Sequence, residues 1–344
     1  MRTIMDKSEI QIKNIVVHIL DASLGTAVYS DSEPEYGSDF GDFLREHIYR
    51  VYQSDDIKNC RFLEDSVVYA LLKEVMEKKK EFLSMSKELC GMLYNILKKN
   101  TDIPSADVAI VHFEINKVPS LAILKMNYKS GYTHATETIE NKNVNHIIKY
   151  HSILPAGNQK LSEAAVINLS DFQIRLLEKK YEINNIKENY FSKRFLECST
   201  EISQKAKLAA VEKAVQSVQK EFLNESEQFE EHMKAKSIIH NEIEQQGSIS
   251  IPEVAAKVFE NNEAMHEKFK EKIEKYNIPE ESMIEPKNEA TTKKFSKQHL
   301  TTDTGIEIKI PMEQYNSTDN IEFMTNEDGT ISMLIKNIGH IMSK

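Results

Sequence analysis

The stretch Val108-Ala-Ile-Val-His-Phe-Glu-Ile115, followed after Pro119 by Leu121-Ala-Ile-Leu-Lys-Met-Asn-Tyr-Lys129, decides the fold of the first half of the chain. Both runs are rich in the β-branched and aromatic residues that strands prefer. Successive side chains in a strand point to opposite faces, and the first run alternates over eight residues. Two such runs separated by a proline-containing break predict an antiparallel hairpin.

Further elements on either side of this hairpin predict an α+β domain. Ile10 to Leu20 is a candidate strand, which a short strand at 26–29 could pair with, and strands near 147–154 and 164–169 would extend the sheet. Apolar residues recur at helical spacing from 66 to 99, and a further helix would run from Ser38 or Asp39 to about Gln53. The pattern over 171–181 leaves a short helix and a final strand both open. We expect residues 1–198 to form an antiparallel sheet backed by helices.

After Cys198 the pattern predicts a mainly helical domain, residues 199–344, that ends in a β-hairpin. One apolar stripe runs from Val211 through Val215 and Val218 to Phe222, and a second runs from Val254 to Tyr276. Ser250-Ile-Pro-Glu253 has the pattern of a helix start. Asn326-Glu-Asp-Gly329 is typical of a turn between two strands. The stripes would either pack on each other within one chain or mediate a homodimer.

Composition narrows the class of protein. No apolar run is long enough to span a membrane, and the chain is expected to be soluble. Cys60, Cys90 and Cys198 are odd in number and far apart, which predicts buried free thiols rather than disulfides or a zinc site. The net charge of −10 argues against nucleic acid as a partner, but it is unevenly spread. Residues 120–220 carry 15 basic and 10 acidic side chains, whereas 221–285 carry 7 and 16.

The basic middle of the chain therefore holds the candidate DNA-binding residues. Tyr128, Tyr181 and Tyr190 are interleaved with these cations, as in nucleic-acid interfaces where bases stack on aromatic rings. Each cation alone is more simply a solvated surface charge. The candidate set is Lys125, Lys129, Lys160, Arg175, Lys179, Lys180, Lys193 and Arg194.

Catalytic motifs are sparse. The glycine-rich phosphate loops, the HExxH zinc motif and the GxSxG elbow do not occur, and we expect no catalytic residues, no metal and no cofactor. The one enzyme-like pattern is Asp303-Thr-Gly-Ile-Glu-Ile-Lys309, in which Asp303, Glu307 and Lys309 would serve a metal-dependent nuclease. Strand alternation explains Glu307 and Lys309 as a solvent-facing pair without any chemistry. We therefore expect a non-enzyme.

Several segments together carry a family resemblance. They include Ala122-Ile-Leu-Lys-Met-Asn-Tyr-Lys129, Gln159-Lys-Leu-Ser-Glu-Ala-Ala-Val-Ile167 and Tyr190-Phe191, followed in the tail by Thr302-Asp-Thr-Gly-Ile-Glu-Ile-Lys-Ile-Pro311 and Asp328-Gly-Thr-Ile-Ser332. In this order they resemble the bacterial NdpA/YejK family of nucleoid-associated proteins, over nearly the whole chain.

The resemblance implies a cytoplasmic, non-catalytic protein of the nucleoid that binds DNA, expected to be double-stranded. It also implies a link to topoisomerase IV, so that an alternative is an adaptor that docks on such a DNA-acting enzyme through its acidic helices. A cryptic metal-dependent nuclease is the third interpretation. No catalytic motif of the family maps onto this sequence.

Overall fold

The computed structural model describes residues 6–260, 262–317 and 319–342, and the chain divides into two compact units at Glu201/Ile202. Helices and strands are mixed, and an antiparallel sheet dominates the first half, which confirms the expected α+β class. No helix within the described ranges is long and apolar enough to cross a bilayer. Cys60, Cys90 and Cys198 are buried and free, as predicted.

The first unit contains eleven strands within its described residues, together with α-helices and short helical turns. The strands are β1 (Ile10–Leu20), β2 (Lys58–Phe62), β3 (Ala106–Ile115), β4 (Val118–Asn127), β5 (Lys129–Ile139), β6 (Lys142–Ile153), β7 (Glu163–Asn168), β8 (Gln173–Leu177), β9 (Tyr181–Ile183), β10 (Ile186–Glu188) and β11 (Cys198–Thr200). The α-helices are α1 (Ser38–Gln53), α2 (Val67–Met76) and α3 (Phe82–Leu97). Short 3₁₀ turns occupy Lys7–Glu9 and Ala22–Leu24, and a π-helix occupies Phe191–Leu196.

Seven strands form one fully antiparallel sheet in the order β1-β3-β4-β7-β8-β2-β11. The predicted hairpin is confirmed as β3–β4, with Ile115 paired to Val118 across Asn116 and Lys117. Both loop residues have positive φ, as a two-residue turn of this type requires. Of the two alternatives for residues 171–181, the strand is confirmed, as β8. The strand expected at 26–29 is reduced to a single β-bridge between Val28 and Ile19.

Each face of the sheet packs on its own helical layer. Leu44, Ile48 and Val51 of α1 are buried against alternate residues of β3, β4 and β7 on one face. The opposite face packs against α2, α3 and the π-helix. Alternation along the strands fills both layers, because a strand presents successive side chains to opposite sides.

The expectation that a strand near 147–154 extends this sheet is wrong. That stretch belongs to β6, which pairs with β5 in a separate two-stranded ribbon. The segment is rich in β-branched residues, which indicate a strand but not which sheet it joins. Strands β9 and β10 form another small hairpin.

The second unit is helical with small strand pairs. Its helices are α4 (Gln204–Phe222), α5 (Glu225–Gln246), α6 (Ile251–Val258), α7 (Glu263–Lys275), α8 (Glu289–Thr292) and α9 (Met312–Tyr315), with a 3₁₀ turn at Lys293–Phe295. Its strands are β12 (Ile249–Ser250), β13 (Met283–Ile284), β14 (Lys297–Thr301), β15 (Glu307–Pro311), β16 (Ile321–Thr325) and β17 (Ile331–Ile335). The predicted terminal hairpin is β16–β17.

The two apolar stripes pack on each other inside this unit. Val211, Val215 and Val218 lie in the same buried cluster as Val254 and Phe269, although Phe222 at the end of the first stripe is exposed. Most residues of the two stripes are therefore buried against each other within one chain. The stripe from Val254 to Tyr276, which follows the predicted helix start at Ser250, is divided between two helices, α6 and α7. Ser250 nonetheless caps α6 by accepting a hydrogen bond from the Glu253 backbone N–H at 3.4 Å.

Candidate functional site

A cleft of about 510 Å³ opens on the α1 face of the sheet, beyond the last residues of that helix. Tyr52, near the end of α1, forms one wall. The floor comes from strands β2, β4, β7, β8 and β11 and from the β3–β4 turn. The polar lining residues are Tyr52, Asn59, Arg61, Asn116, Ser120, Asn168, Gln173, Arg175, Ser199 and Glu201.

Strand alternation explains why this floor is polar. In β2, Cys60 points into the core on the α2–α3 face, so its neighbours Asn59 and Arg61 point into the cleft. In β8, Ile174 and Leu176 are buried on that same core face, which places Arg175 in the cleft. The same strands thus close the core on one side and present polar side chains on the other.

The register brings the cleft residues side by side. Asn59 pairs with Arg175 and Arg61 pairs with Gln173 across β2 and β8. Ser199 of β11 lies opposite Arg61 and donates a hydrogen bond from its Oγ to the Arg61 carbonyl at 3.2 Å. Directly opposed residues in an antiparallel pair are neighbours on one face, so two arginines and two amides form one contiguous patch.

Positive charge in this patch is available to a ligand. The Arg175 guanidinium lies over the Tyr52 ring, 4.7 Å from the ring centre to Cζ. Burial raises the pKa of Tyr52 and the charge of Arg175 acts in the opposite direction. Among the described residues, neither Arg61 nor Arg175 has a carboxylate within ion-pair distance, although Glu201 also lines the cleft. Guanidinium groups bind phosphate through paired hydrogen bonds, and amides complete such sites.

Lys125 of the predicted basic set lies elsewhere, and it does not present its charge to a ligand. Its side chain is fully buried on the α2–α3 face, opposite Glu163 in the β4–β7 register. The ammonium nitrogen is 3.6 Å from the Glu163 carboxylate and donates to the Pro104 carbonyl at 3.0 Å and to Asn127. Burial lowers the pKa of Lys125 to about 8, while the Glu163 carboxylate acts against this. Lys125 is therefore not part of a surface that could contact DNA, and its place in the predicted DNA-binding set is wrong.

Three other residues of the set are exposed but already engaged. Lys129 donates to the Gln159 side-chain oxygen at 2.8 Å. Lys160 forms an ion pair with Asp56, and Arg194 forms one with Glu188. Such pairs at the surface are weak, so they lower the availability of these cations without abolishing it.

Arg175, Lys179, Lys180 and Lys193 are exposed and lack a carboxylate partner in the described parts of the chain. Of these only Arg175 lines the cleft. Lys179 lies over the Tyr181 ring at 5.5 Å.

The sequence reasoning missed Arg61, because β2 is five residues long and has no clear alternation except the buried Cys60.

The nuclease pattern is spread over a turn and a strand. The Asp303 carboxylate accepts a hydrogen bond from the Thr304 N–H at 3.0 Å. Glu307 and Lys309 lie exposed on β15, with Nζ and Oε2 3.9 Å apart, and His299 is 3.8 Å from the same carboxylate. Within the described ranges, no three His, Cys, Asp or Glu side chains are grouped so that they could hold a metal ion.

Comparison with known proteins places the chain in a family. No curated protein matches it significantly. A family profile, however, covers nearly its whole length and includes the strands that build the cleft. Because residues 16–342 match the NA37 family, described as nucleoid-associated protein YejK, the chain belongs to that family.

Proposed function

We propose that this chain is a non-catalytic DNA-binding protein of the bacterial nucleoid, and that it holds the phosphate backbone of duplex DNA in the cleft of the N-terminal unit. The observation that carries the proposal is the pair Arg61 and Arg175, exposed on one face and free of carboxylate partners in the described chain. Membership of a nucleoid-associated family supports the choice of ligand.

Charge distribution supports the N-terminal unit as the DNA-contacting part. Residues 221–285 carry 16 acidic and 7 basic side chains, and this excess repels a polyanion. The cleft, in contrast, has two arginines against one glutamate. Lys179, Lys180 and Lys193 would add phosphate contacts that are not specific for sequence, since cations that touch only the backbone carry no base information.

The test is fluorescence anisotropy of a labelled duplex over a salt series. The Arg61→Ala/Arg175→Ala double variant should bind at least tenfold more weakly. Each lost phosphate contact lowers the log–log salt slope by about 0.9, so the slope should fall by roughly 1.8. Lys179→Glu/Lys180→Glu should weaken binding on all sequences alike.

The matched control is Arg45→Ala. Arg45 lies on α1 outside the cleft lining and is already paired with Asp42. Its replacement removes one positive charge from the same unit, where the double variant removes two, and should leave the affinity and the slope unchanged. Wild-type binding that does not respond to salt, or an unaltered slope in the double variant, would contradict the proposal.

Two alternative functions, an adaptor and a nuclease, can be tested with the same protein samples. An adaptor that docks on an enzyme such as topoisomerase IV would bind that enzyme through the acidic helices, with little affinity for DNA alone. A nuclease would nick supercoiled DNA in Mg²⁺ or Mn²⁺, and Glu307→Ala would abolish the nicking. The solvent-exposed Glu307–Lys309 pair does not favour the nuclease, because an exposed pair of opposite charges on one face of a strand is ordinary.

A further inference from the structure

Strands β5 and β6 form a ribbon that stands apart from the seven-stranded sheet. They pair with each other and, in the part of the chain that the structure describes, with no other strand. Glu140 and Asn141 close the ribbon with two positive φ angles, as a tight two-residue turn requires. Strands of 11 and 12 residues rising about 3.3 Å per residue give a length of roughly 35–40 Å.

The register assigns every ribbon side chain to one of two faces. One face, here called the polar ribbon face, carries Ser130, Tyr132, His134, Thr136, Thr138, Asn143, Asn145, Ile147, Lys149 and His151. The other face carries Glu137 and is richer in aliphatic residues such as Val144 and Ile148. The polar ribbon face contains no carboxylate.

The polar ribbon face is open to solvent along its length. Tyr132 is 74% exposed and Ile147 is 73% exposed, among the highest values for large apolar side chains in the described chain. A lone two-stranded ribbon is marginally stable in water. A ribbon that keeps large apolar groups on an uncovered face is therefore typical of a surface that a partner covers.

The chemistry of this face fits the edges of base pairs. Thr136 donates to the Asn145 side-chain oxygen at 2.8 Å, and Thr138 donates to that of Asn143 at 3.3 Å. These bonds use the amide oxygens and leave the amide NH₂ groups to donate outward. Amides, a lysine and an apolar side chain are the groups that read adenine, guanine and the thymine methyl in the major groove.

The dimensions of the ribbon also fit the major groove of duplex DNA. The major groove is about 12 Å wide and admits a two-stranded β-ribbon. A length of roughly 35–40 Å is close to one turn of duplex, about 34 Å. The absence of a carboxylate on the face avoids repulsion from the flanking phosphates.

We propose that the polar ribbon face lies in the major groove of duplex DNA and contacts base edges there. This inference rests on the proposed DNA-binding function, and it adds a second contact surface to the cleft. The two surfaces are separable, because Ser120 near the start of β4 lines the cleft whereas the ribbon begins just beyond Asn127 at the other end of that strand.

Dimethyl sulfate footprinting tests the ribbon directly. This reagent methylates guanine N7 in the major groove and adenine N3 in the minor groove. Wild-type protein should protect guanine N7 over about one turn. The Asn143→Ala/Asn145→Ala/Lys149→Ala variant should lose that protection and bind at least tenfold more weakly, since a single good base contact is worth roughly that factor.

The matched control is Lys142→Ala, which removes one charge from the opposite face of the same ribbon. It should keep the full guanine footprint. Circular dichroism should show both variants folded, because the replaced side chains are exposed.

The outcomes separate this inference from the proposed function. Salt-dependent binding without guanine N7 protection, or with adenine N3 protection instead, overturns the ribbon proposal and leaves the cleft standing. Absence of DNA binding in the wild type overturns both. A wild-type dimer in light scattering that the triple variant dissociates, with an unchanged footprint, would show that the ribbon binds a second copy of the chain instead.

Discussion

The two halves of strand β4 lie beside opposite arrangements of positive charge. Toward its end, Lys125 is buried against Glu163 on the α2–α3 face. Toward its start, Ser120 lies beside a cleft in which Arg61 and Arg175 are exposed on the α1 face. Successive side chains on a strand point to opposite faces, so a cation at one position is buried while a cation at the next position would face the cleft.

Burial and carboxylate pairing separate the cations that stabilise this sheet from those that are available to bind a ligand. A buried cation is held by a carboxylate, a carbonyl and an amide, and any change there is felt by the whole unit. An exposed cation without a carboxylate partner contributes little to folding and is free to bind an anion. Substitutions at the two places should therefore have opposite signatures in stability and binding.

The largest expected effect is on the buried pair. Lys125→Ala removes the buried amine that contacts the Glu163 carboxylate, the Pro104 carbonyl and Asn127, and leaves these groups buried without that partner. This should lower the free energy of unfolding by about 3–5 kcal/mol. Lys125→Met/Glu163→Leu removes both charges and should recover most of that loss. Urea denaturation followed by circular dichroism measures both variants. Equal losses in the single and the double variant would show that packing, rather than charge, dominates here.

The next effect is a pH dependence that belongs to Lys125. Its pKa falls from 10.5 to about 8 on folding because of burial, so between these values the unfolded chain binds more protons. The contact with Cys198 and burial raise the pKa of the Cys60 thiol, and burial raises that of the Cys90 thiol, so both thiols lower the stability as the pH rises over the same range. The effect of Lys125 is therefore the difference in stability between the wild type and Lys125→Met. That difference should rise with pH, by about 2 kcal/mol from pH 7.5 to 9.5, and be lost again as the pH falls through 8. Above pH 10 the buried Tyr181 and Tyr190 act in the opposite direction, because burial raises the pKa of each.

Denaturation at pH 7.5, 8.5 and 9.5 tests this slope. Lys125→Met should remove the rising contribution of Lys125, so that its stability relative to the wild type falls as the pH increases. Lys129→Met, which removes an exposed lysine close by in the sequence, should leave the wild-type profile unchanged. A stability difference between the wild type and Lys125→Met that stays constant over these pH values would contradict the assignment to Lys125.

The smallest expected effect is the stability change in the cleft. Arg61→Ala should alter the free energy of unfolding by about 0.5 kcal/mol or less, as exposed substitutions usually do. Arg175→Ala also loses the contact with the Tyr52 ring and should cost roughly 0.5–1 kcal/mol. A loss above about 2 kcal/mol in either variant would make these arginines structural and would undermine the comparison.

Much of the sheet was predictable from the sequence, because an element that buries one face has apolar residues at regular spacing along the chain. The β3–β4 hairpin and β1 show it clearly, and so do the stripes of α4 and α7. Lys125 is also two residues from Ile123 and four from Leu121 in the same strand, so it shares their face, and both of them are buried. Charge counting over a window overlooked this, since a count does not distinguish the two faces of a strand.

The ribbon and the cleft were harder to predict for one shared reason. Neither face of the β5–β6 ribbon packs on a core, so Lys129 to Ile139 shows no apolar alternation. In the cleft, Arg61 lies in a strand of five residues, and its partner strand β8 is reached only through pairing that is distant in sequence. Which distant strands become neighbours is set by tertiary packing, and local pattern does not report it.

Strand order has a consequence for how this fold tolerates change. Strands β4 and β7 are paired neighbours, from Ser120 opposite Asn168 to Lys125 opposite Glu163, and the β5–β6 ribbon lies between them in the chain. The ribbon can thus be lengthened or shortened without exchanging the partner of any strand in the sheet. We therefore expect the ribbon to tolerate insertions without loss of the fold, and its tip to be a suitable position for a fused label or reporter.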